Sequence, residues 1–295
     1  MALKIAFGMI VFEGDYVLKE ALESVYPYAE QILIAEGPVK FWQDRGRTTS
    51  MDKTNDILNN FPDPDNKISI VHGQFKEKDE QCRAYMPYLK DDIDYIWNLD
   101  SDEVFKGEDI QKLVQILEEE KYTSVGVRSC SFYGGFDHYI GGFELLRDNF
   151  LRIFKVYPGA NWLTHRPPTI QPKVGTATLP EKHLDSDTLW DKHGIQMYHY
   201  SYVFPTQVKN KLEYYKAKVS MENCHPNYFN EIYLPWVAGN KSVESAWNGV
   251  HEFKPHIRTH SFTEEFKGEH PKAIKNSMPD LKRRLRDELQ RFLEE

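Results

Sequence analysis

The feature that most constrains this chain is an alternation of short apolar runs and amphipathic stretches over its first 132 residues. Leu3 to Val11 is a near-continuous apolar run, interrupted by Lys4 and Gly8. Gln31 to Ala35, Lys67 to His72, Asp94 to Leu99 and Val125 to Phe132 repeat the pattern. Between them lie segments of helical period. Leu18, Ala21, Leu22 and Val25 share one face, with Asp15 placed to cap it. Asp52 to Phe61 and Glu77 to Leu89 read as helices ended by prolines, and Ile110, Leu113, Val114 and Leu117 share another face. Runs apolar on both sides suit strands covered on both faces, and strand–helix alternation is the pattern of a parallel, doubly wound sheet.

Beyond Tyr133 the pattern loosens. Gly134-Gly135, Gly141-Gly142 and Arg166-Pro167-Pro168 mark turns, with strands expected at Phe150 to Val156 and Gln196 to Ser201. A helix is expected after Pro205, then an irregular stretch with Trp236 and Trp247. The chain closes on an amphipathic helix bearing Leu281, Leu285, Leu289 and Phe292, expected to dock on the body, with a homodimer or membrane-surface contact as the alternative.

The formal net charge is −8 and no basic stripe is present, which speaks against a nucleic-acid partner. The 3 cysteines are far apart and form neither a zinc pattern nor a disulfide framework; a reducing, cytoplasmic setting fits them. No apolar stretch is long enough for a membrane span.

The most informative residues are Asp100, Asp102 and Glu103, which follow the apolar run Tyr95-Ile96-Trp97-Asn98-Leu99. Ligands of open parallel sheets bind beyond the carboxyl ends of the strands. Residues two apart on an extended chain face the same way, so two carboxylates there repel unless a cation lies between them. Mg²⁺ and Mn²⁺ take such oxygen donors together with substrate phosphates. The plainer reading is that Asp102 or Glu103 caps the helix at 107–120. His199, within Met197-Tyr198-His199-Tyr200, is a candidate third ligand, and a satisfied core histidine otherwise.

These residues resemble a family. Leu99-Asp100-Ser101-Asp102-Glu103, the turn Ser50-Met51-Asp52-Lys53-Thr54, the first strand and helix from Met9 to Tyr26, and His199-Tyr200-Ser201-Tyr202 before a Lys-rich helix are similar in order and spacing to family 2-type glycosyltransferases of the GT-A fold. The resemblance covers residues 3–218. It implies a Rossmann-like α/β nucleotide-diphospho-sugar transferase fold, with a mostly parallel sheet and flanking helices. The domain would span 1–205, its nucleotide-binding half 1–130 and its acceptor half 131–205, followed by a helical extension at 206–295.

The function implied is metal-dependent transfer of a sugar from a UDP- or GDP-type donor to an acceptor hydroxyl, with inversion. The acceptor would be a glycan, a lipid-linked sugar or a protein. Asp102 and His199 would hold Mn²⁺ or Mg²⁺, with Asp100 facing the ribose or reaching the metal through water. Glu36 would contact the base and Arg83 would lie near the nucleotide. Candidates for the catalytic base are Glu144, Asp148, His165 and Asp137. Two departures stand out. Gly37 to Thr49 is inserted before the Ser50 turn, as a lid or phosphate clamp. Arg166 replaces the acid that many members carry after a Trp…His stretch.

Rival classes are a nucleotidyltransferase, a glycoside hydrolase and a non-catalytic carbohydrate-binding protein. Val11-Phe12-Glu13-Gly14-Asp15 lacks the Gly-rich basic phosphate loop of the first. Acids at alternate positions of one strand end lack the ~5–10 Å separation of the second. Intact Asp100, Asp102 and His199 speak against the third.

Overall fold

The structure is a computed structural model that describes residues 2–142, 148–172, 181–218, 221–258 and 261–294. In chain order its elements are β1 (Ile5–Val11), α1 (Leu18–Val25), β2 (Gln31–Glu36), α2 (Lys40–Gln43), α3 (Thr54–Asn60), β3 (Ile68–His72), α4 (Lys78–Tyr85), β4 (Tyr95–Asp100), β5 (Glu103–Val104), α5 (Gly107–Glu120), β6 (Ser124–Tyr133), β7 (His138–Ile140) and β8 (Phe150–Lys155). They continue with β9 (Asn161–Thr164), β10 (Thr169–Gln171), β11 (His183–Leu184), α6 (Ser186–His193), β12 (Gln196–Tyr202), α7 (Pro205–Lys218), α8 (Leu234–Val237), α9 (Val243–Trp247), β13 (Thr263–Glu265) and α10 (Lys272–Glu294). Among the described residues, no helix is long and apolar enough to cross a membrane.

Residues 1–127 and 149–196 form one compact unit; residues 128–148 and 197–295 form another. In the first unit β3, β2, β1 and β4 lie side by side and parallel. Every residue of β1 and β2 is buried, in keeping with their largely apolar sequences. Beyond β4 the sheet turns antiparallel: β8 pairs with β4, and the first part of β6 pairs with β8. β9 and β10 form a separate hairpin.

The helices follow the predicted faces. Leu18, Ala21, Leu22 and Val25 are buried on α1, and Ile110, Leu113 and Leu117 on α5. α5 stops where Lys121 takes a left-handed conformation. Two capping expectations fail. α1 has no side-chain cap, because the Asp15 carboxylate accepts the Lys53 N–H at 3.2 Å instead. α5 has none either, because Glu103 turns inward.

In the second unit β12 and β7 pair with β6, and β13 pairs antiparallel with β7. β13 comes from the stretch read as irregular. An aromatic core gathers Tyr133, Tyr202, Tyr228, Tyr233 and Trp236, with Trp236 edge-on to Tyr133 at 5.0 Å. The terminal helix α10 docks within this unit. Ile274 and Leu281 are buried, and Phe292 packs on Phe229 at 5.2 Å. Glu288 accepts the Thr206 N–H at the start of α7 at 2.9 Å.

Candidate active site

β4 is an apolar strand that ends in acid. Trp97 stacks on Phe7 of β1 at 5.2 Å and meets Phe105 edge-on at 4.8 Å, which anchors the strand in the sheet. Asp100, opposite Ile10, is its last residue and stands at the carboxyl edge of the parallel strands. The chain turns through Ser101 and Asp102, and Glu103 then folds back into the protein with no exposed surface. Glu103 Oε2 accepts the Asp100 N–H at 3.1 Å, which closes the turn.

A buried charge on β8 completes the arrangement. Arg152 donates Nε–H to the two oxygens of Glu103 at 3.1 and 2.9 Å, and its Nη2 donates to Glu103 Oε1 and, at 3.4 Å, to Asp100 Oδ2. Burial pushes the Asp100 carboxyl up, but Arg152, with His165, Arg166 and Lys78 contributing, holds it well below the usual carboxylate range. Arg152 had no role in the sequence reading. Its signal was a single cation within Phe150-Leu151-Arg152-Ile153-Phe154, where period 2 turns it to the side of buried Phe154.

The loop after β1 lies against this turn: a Cβ on Gly14 would meet Ser101 Oγ at 2.7 Å. The loop is held by the Ser50–Thr54 turn. Glu13 N–H donates to Ser50 Oγ at 2.9 Å, Gly14 N–H to Thr54 Oγ1 at 2.9 Å and Asp15 N–H to Asp52 Oδ2 at 3.1 Å. Ser, Asp and Thr therefore serve as short acceptors for backbone amides that have no strand partner. Glu13 itself sits at φ 48°, a left-handed conformation that a non-glycine residue adopts at some cost.

Glu36, at the end of β2, is buried between Ser50, whose hydroxyl donates to Oε1 at 2.7 Å, and His72, whose Nδ1 lies 3.0 Å from Oε2. The inserted segment contains α2. Its Trp42 is buried, and Arg47 lies over the Trp42 ring at 4.1 Å while pairing with Glu13. Arg83 on α4 donates to the Leu163 carbonyl at 3.1 Å, which ties the helix to the β9–β10 hairpin.

His165 is buried on that hairpin. Its N–H donates to Asp79 Oδ1 at 2.7 Å, and its Nδ1 lies 3.5 Å from Cys82 Sγ. Burial pushes its pKa down to about 4, against the pull of Asp100, and burial pushes the Cys82 thiol up to about 12. The thiol therefore keeps its hydrogen, and the imidazole is neutral near pH 7. A neutral, buried imidazole donates from one ring nitrogen and accepts at the other.

The remaining candidates lie elsewhere. Asp148 belongs to the second unit and pairs with Arg258 at 2.7 Å. Asp137 pairs there with Lys282 at 3.5 Å. Glu144 lies outside the described residues. His199 is on β12 of the second unit, its Nδ1 3.4 Å from Ser129 Oγ. Asp100 and Asp102 belong to the first unit. Among the described residues, neither unit on its own gathers three His, Cys, Asp or Glu side chains into a ready-made metal site.

Comparison with known proteins agrees with the resemblance. The glycosyl transferase family 2 model matches residues 48–168, from the Ser50 turn through the acidic turn to the His165 hairpin. The mixed α/β fold described above accords with that match. No curated protein matches the chain. Among solved structures, Staphylococcus aureus TarS 1-349 in complex with UDP aligns at 12% identity over 45% of this chain and 38% of that one, with a TM-score of 0.34. A second structure, of S. aureus TarS, aligns at 10% identity over 52% of this chain and 28% of that one, with a TM-score of 0.36. The 4-diphosphocytidyl-2C-methyl-D-erythritolsynthase of Anaerococcus prevotii DSM 20548 aligns at 15% identity over 52% and 72%, with a TM-score of 0.33. The chain thus spans well under two thirds of the TarS structures it aligns with.

Proposed function

Taking the family 2 match of residues 48–168 as the premise, we propose that this chain transfers a sugar from a nucleoside-diphosphate sugar, of UDP or GDP type, to an acceptor hydroxyl with the help of Mn²⁺ or Mg²⁺. The observation that carries the proposal is the Asp100–Glu103 turn at the carboxyl end of β4, within the matched span, with Asp100 kept ionised by Arg152.

The donor set fits a hard divalent cation in part. Asp100 and Asp102 offer carboxylate oxygens two residues apart. His199 enters as a further ligand from the resemblance alone. A bound cation would offset the negative charge that grows on the departing diphosphate.

The chain's own groups prepare for that chemistry. Arg152 and Glu103 fix the direction of Asp100, so the carboxylate needs no reorganisation when ligand arrives. The Ser50–Thr54 turn holds the loop after β1 against Ser101 and defines one wall of the donor site. His165, neutral and buried on its hairpin, is suited to orient an oxygen of donor or acceptor. We propose inversion, with a carboxylate accepting the hydroxyl proton. Glu144 and Asp148 are the candidates, and Asp148 must first leave Arg258. The acceptor is a glycan, a lipid-linked sugar or a protein.

The test is thermal unfolding with UDP, GDP, CDP and ADP and their sugars, with and without Mn²⁺ or Mg²⁺, on the wild type and Asp102→Asn. Ligand at about 100 times its Kd adds about 2.7 kcal/mol of stability. A metal-dependent shift that Asp102→Asn removes from a folded protein supports the proposal. No shift with any nucleotide, or an Asp102→Asn shift equal to the wild type's, overturns the donor or the metal assignment respectively.

A further inference from the structure

Val11, Glu36 and His72 stand at the carboxyl ends of three adjacent parallel strands and in register, Val11 beside Glu36 and Glu36 beside His72. The ends are tightly laced. Gly37 N–H donates to the Val11 carbonyl and Gly73 N–H to the Glu36 carbonyl, both at 3.0 Å. The Gln81 amide donates to Ala35 and Gly37 carbonyls at 2.9 and 3.1 Å. These bonds hold the three strand ends together, and ligands of such sheets lie beyond the carboxyl ends of their strands.

Glu36 is poorly placed to meet a ligand. It is 3% exposed, and each oxygen already has a partner, Ser50 on one side and His72 on the other. Ser50 is fixed in turn by the Glu13 N–H, so the carboxylate cannot swing out without breaking several bonds. The side chain of His72, by contrast, is 52% exposed. A carboxylate only accepts, so His72 Nδ1 bears the hydrogen between them. In the neutral ring Nε2 is then an acceptor, and the buried acid holds that tautomer in place.

We propose that His72, oriented by Glu36, is the residue that selects the nucleobase of the donor by accepting an imino N–H, as offered by uracil at N3 or guanine at N1. This deepens the sugar-nucleotide reading above and rests on it. Cytosine N3 and adenine N1 are bare acceptors; set against Nε2 they leave two lone pairs facing each other and a hydrogen bond unmade. Phe12 follows Val11 at the end of β1, with the Arg47 guanidinium 5.7 Å from its ring.

The test is calorimetric titration of the intact chain with UDP, GDP, CDP and ADP in the presence of Mn²⁺. UDP or GDP should bind at least about tenfold more tightly than CDP and ADP. His72→Ala should lower that preference to roughly threefold or less while CDP binding changes little. Glu36→Gln, in which an amide accommodates either tautomer, should blunt the preference too, with the circular dichroism spectrum checking that each variant is folded. Equal affinity of the wild type for CDP and UDP, or an undiminished preference in folded His72→Ala, overturns the inference while leaving the donor reading intact. Binding of none of the four nucleotides overturns both.

Discussion

Arg152 donates Nε–H to both carboxylate oxygens of Glu103, at 3.1 and 2.9 Å, with 8% of the arginine side chain exposed and none of the glutamate. The pair sits beneath Asp100 and governs its charge and direction. Removing one member leaves the other as an uncompensated buried ion. Arg152→Met should therefore destabilise by about 3–5 kcal/mol, and the double variant Arg152→Met/Glu103→Leu should recover most of that loss. Urea unfolding of the three proteins measures both quantities. A single-variant loss below about 1 kcal/mol would show that the pair is solvated.

Acid should destabilise the protein from near pH 6.5 downward. His165 is pushed from 6.5 to about 4 by burial, and so is His251, where Glu252 opposes the shift and Lys211, Arg258 and His225 add to it. Each folded-state pKa lies below the unfolded value. Between about pH 6.5 and 4 the unfolded chain binds protons that the folded chain does not, so stability falls as pH falls through that window. The loss is on the order of 3 kcal/mol for each histidine. Unfolding free energies at pH 7 and 4.5 should converge in His165→Asn and His251→Asn relative to the wild type. An unchanged pH slope in both would count against neutral burial.

Gly37 and Gly46 offer a contrast in backbone strain within one loop. Both have positive φ, 142° and 76°. A Cβ on Gly37 would fall on the Gly73 carbonyl oxygen, whereas one on Gly46 would meet nothing within 4 Å. Gly46→Ala should cost about 1–2 kcal/mol from conformation alone. Gly37→Ala adds overlap with backbone that cannot yield and should cost roughly 2–5 kcal/mol. Equal melting temperatures for the two variants would mean that the β2 and β3 ends are less tightly joined.

Glu288 ties the terminal helix to the start of α7 by accepting the Thr206 N–H at 2.9 Å, and Arg284 donates to its other oxygen at 2.8 Å. Glu288→Ala should cost about 1–2 kcal/mol through the lost cap. It should leave nucleotide binding by the folded protein unchanged, which a melting curve with and without ligand would check.

Much of the fold was legible in the sequence because its first half obeys one rule. A strand covered on both faces needs a mostly apolar run, and β1, β2 and β4 have one, so position and order could be read directly. The acidic turn was legible for the same reason: a run of buried residues that stops at Asp100 must stop at the sheet's edge. The link between α1 and Asp15 was misread because a capping residue and a residue that serves a distant turn look alike. Asp15 serves Lys53, a partner 38 residues away. β13 was missed because Thr263-Glu264-Glu265 has no apolar alternation, and its pairing with β7 supplies what its side chains do not.

The sequence by itself determined where the acidic turn stands: at the carboxyl end of a parallel strand, on Asp100 and Asp102, beside a turn of short polar side chains. Periodicity and strand order decide that, and both are local properties. The states of those groups were decided only by tertiary structure. Asp100 is ionised because Arg152 arrives from β8; Glu36 is buried with its two oxygens bonded to Ser50 and His72; His165 is neutral because the hairpin buries it beside Cys82. Charge, tautomer and direction depend on dielectric and on partners far away in the chain, and no spacing along a sequence encodes the distance between two side chains that meet only after folding.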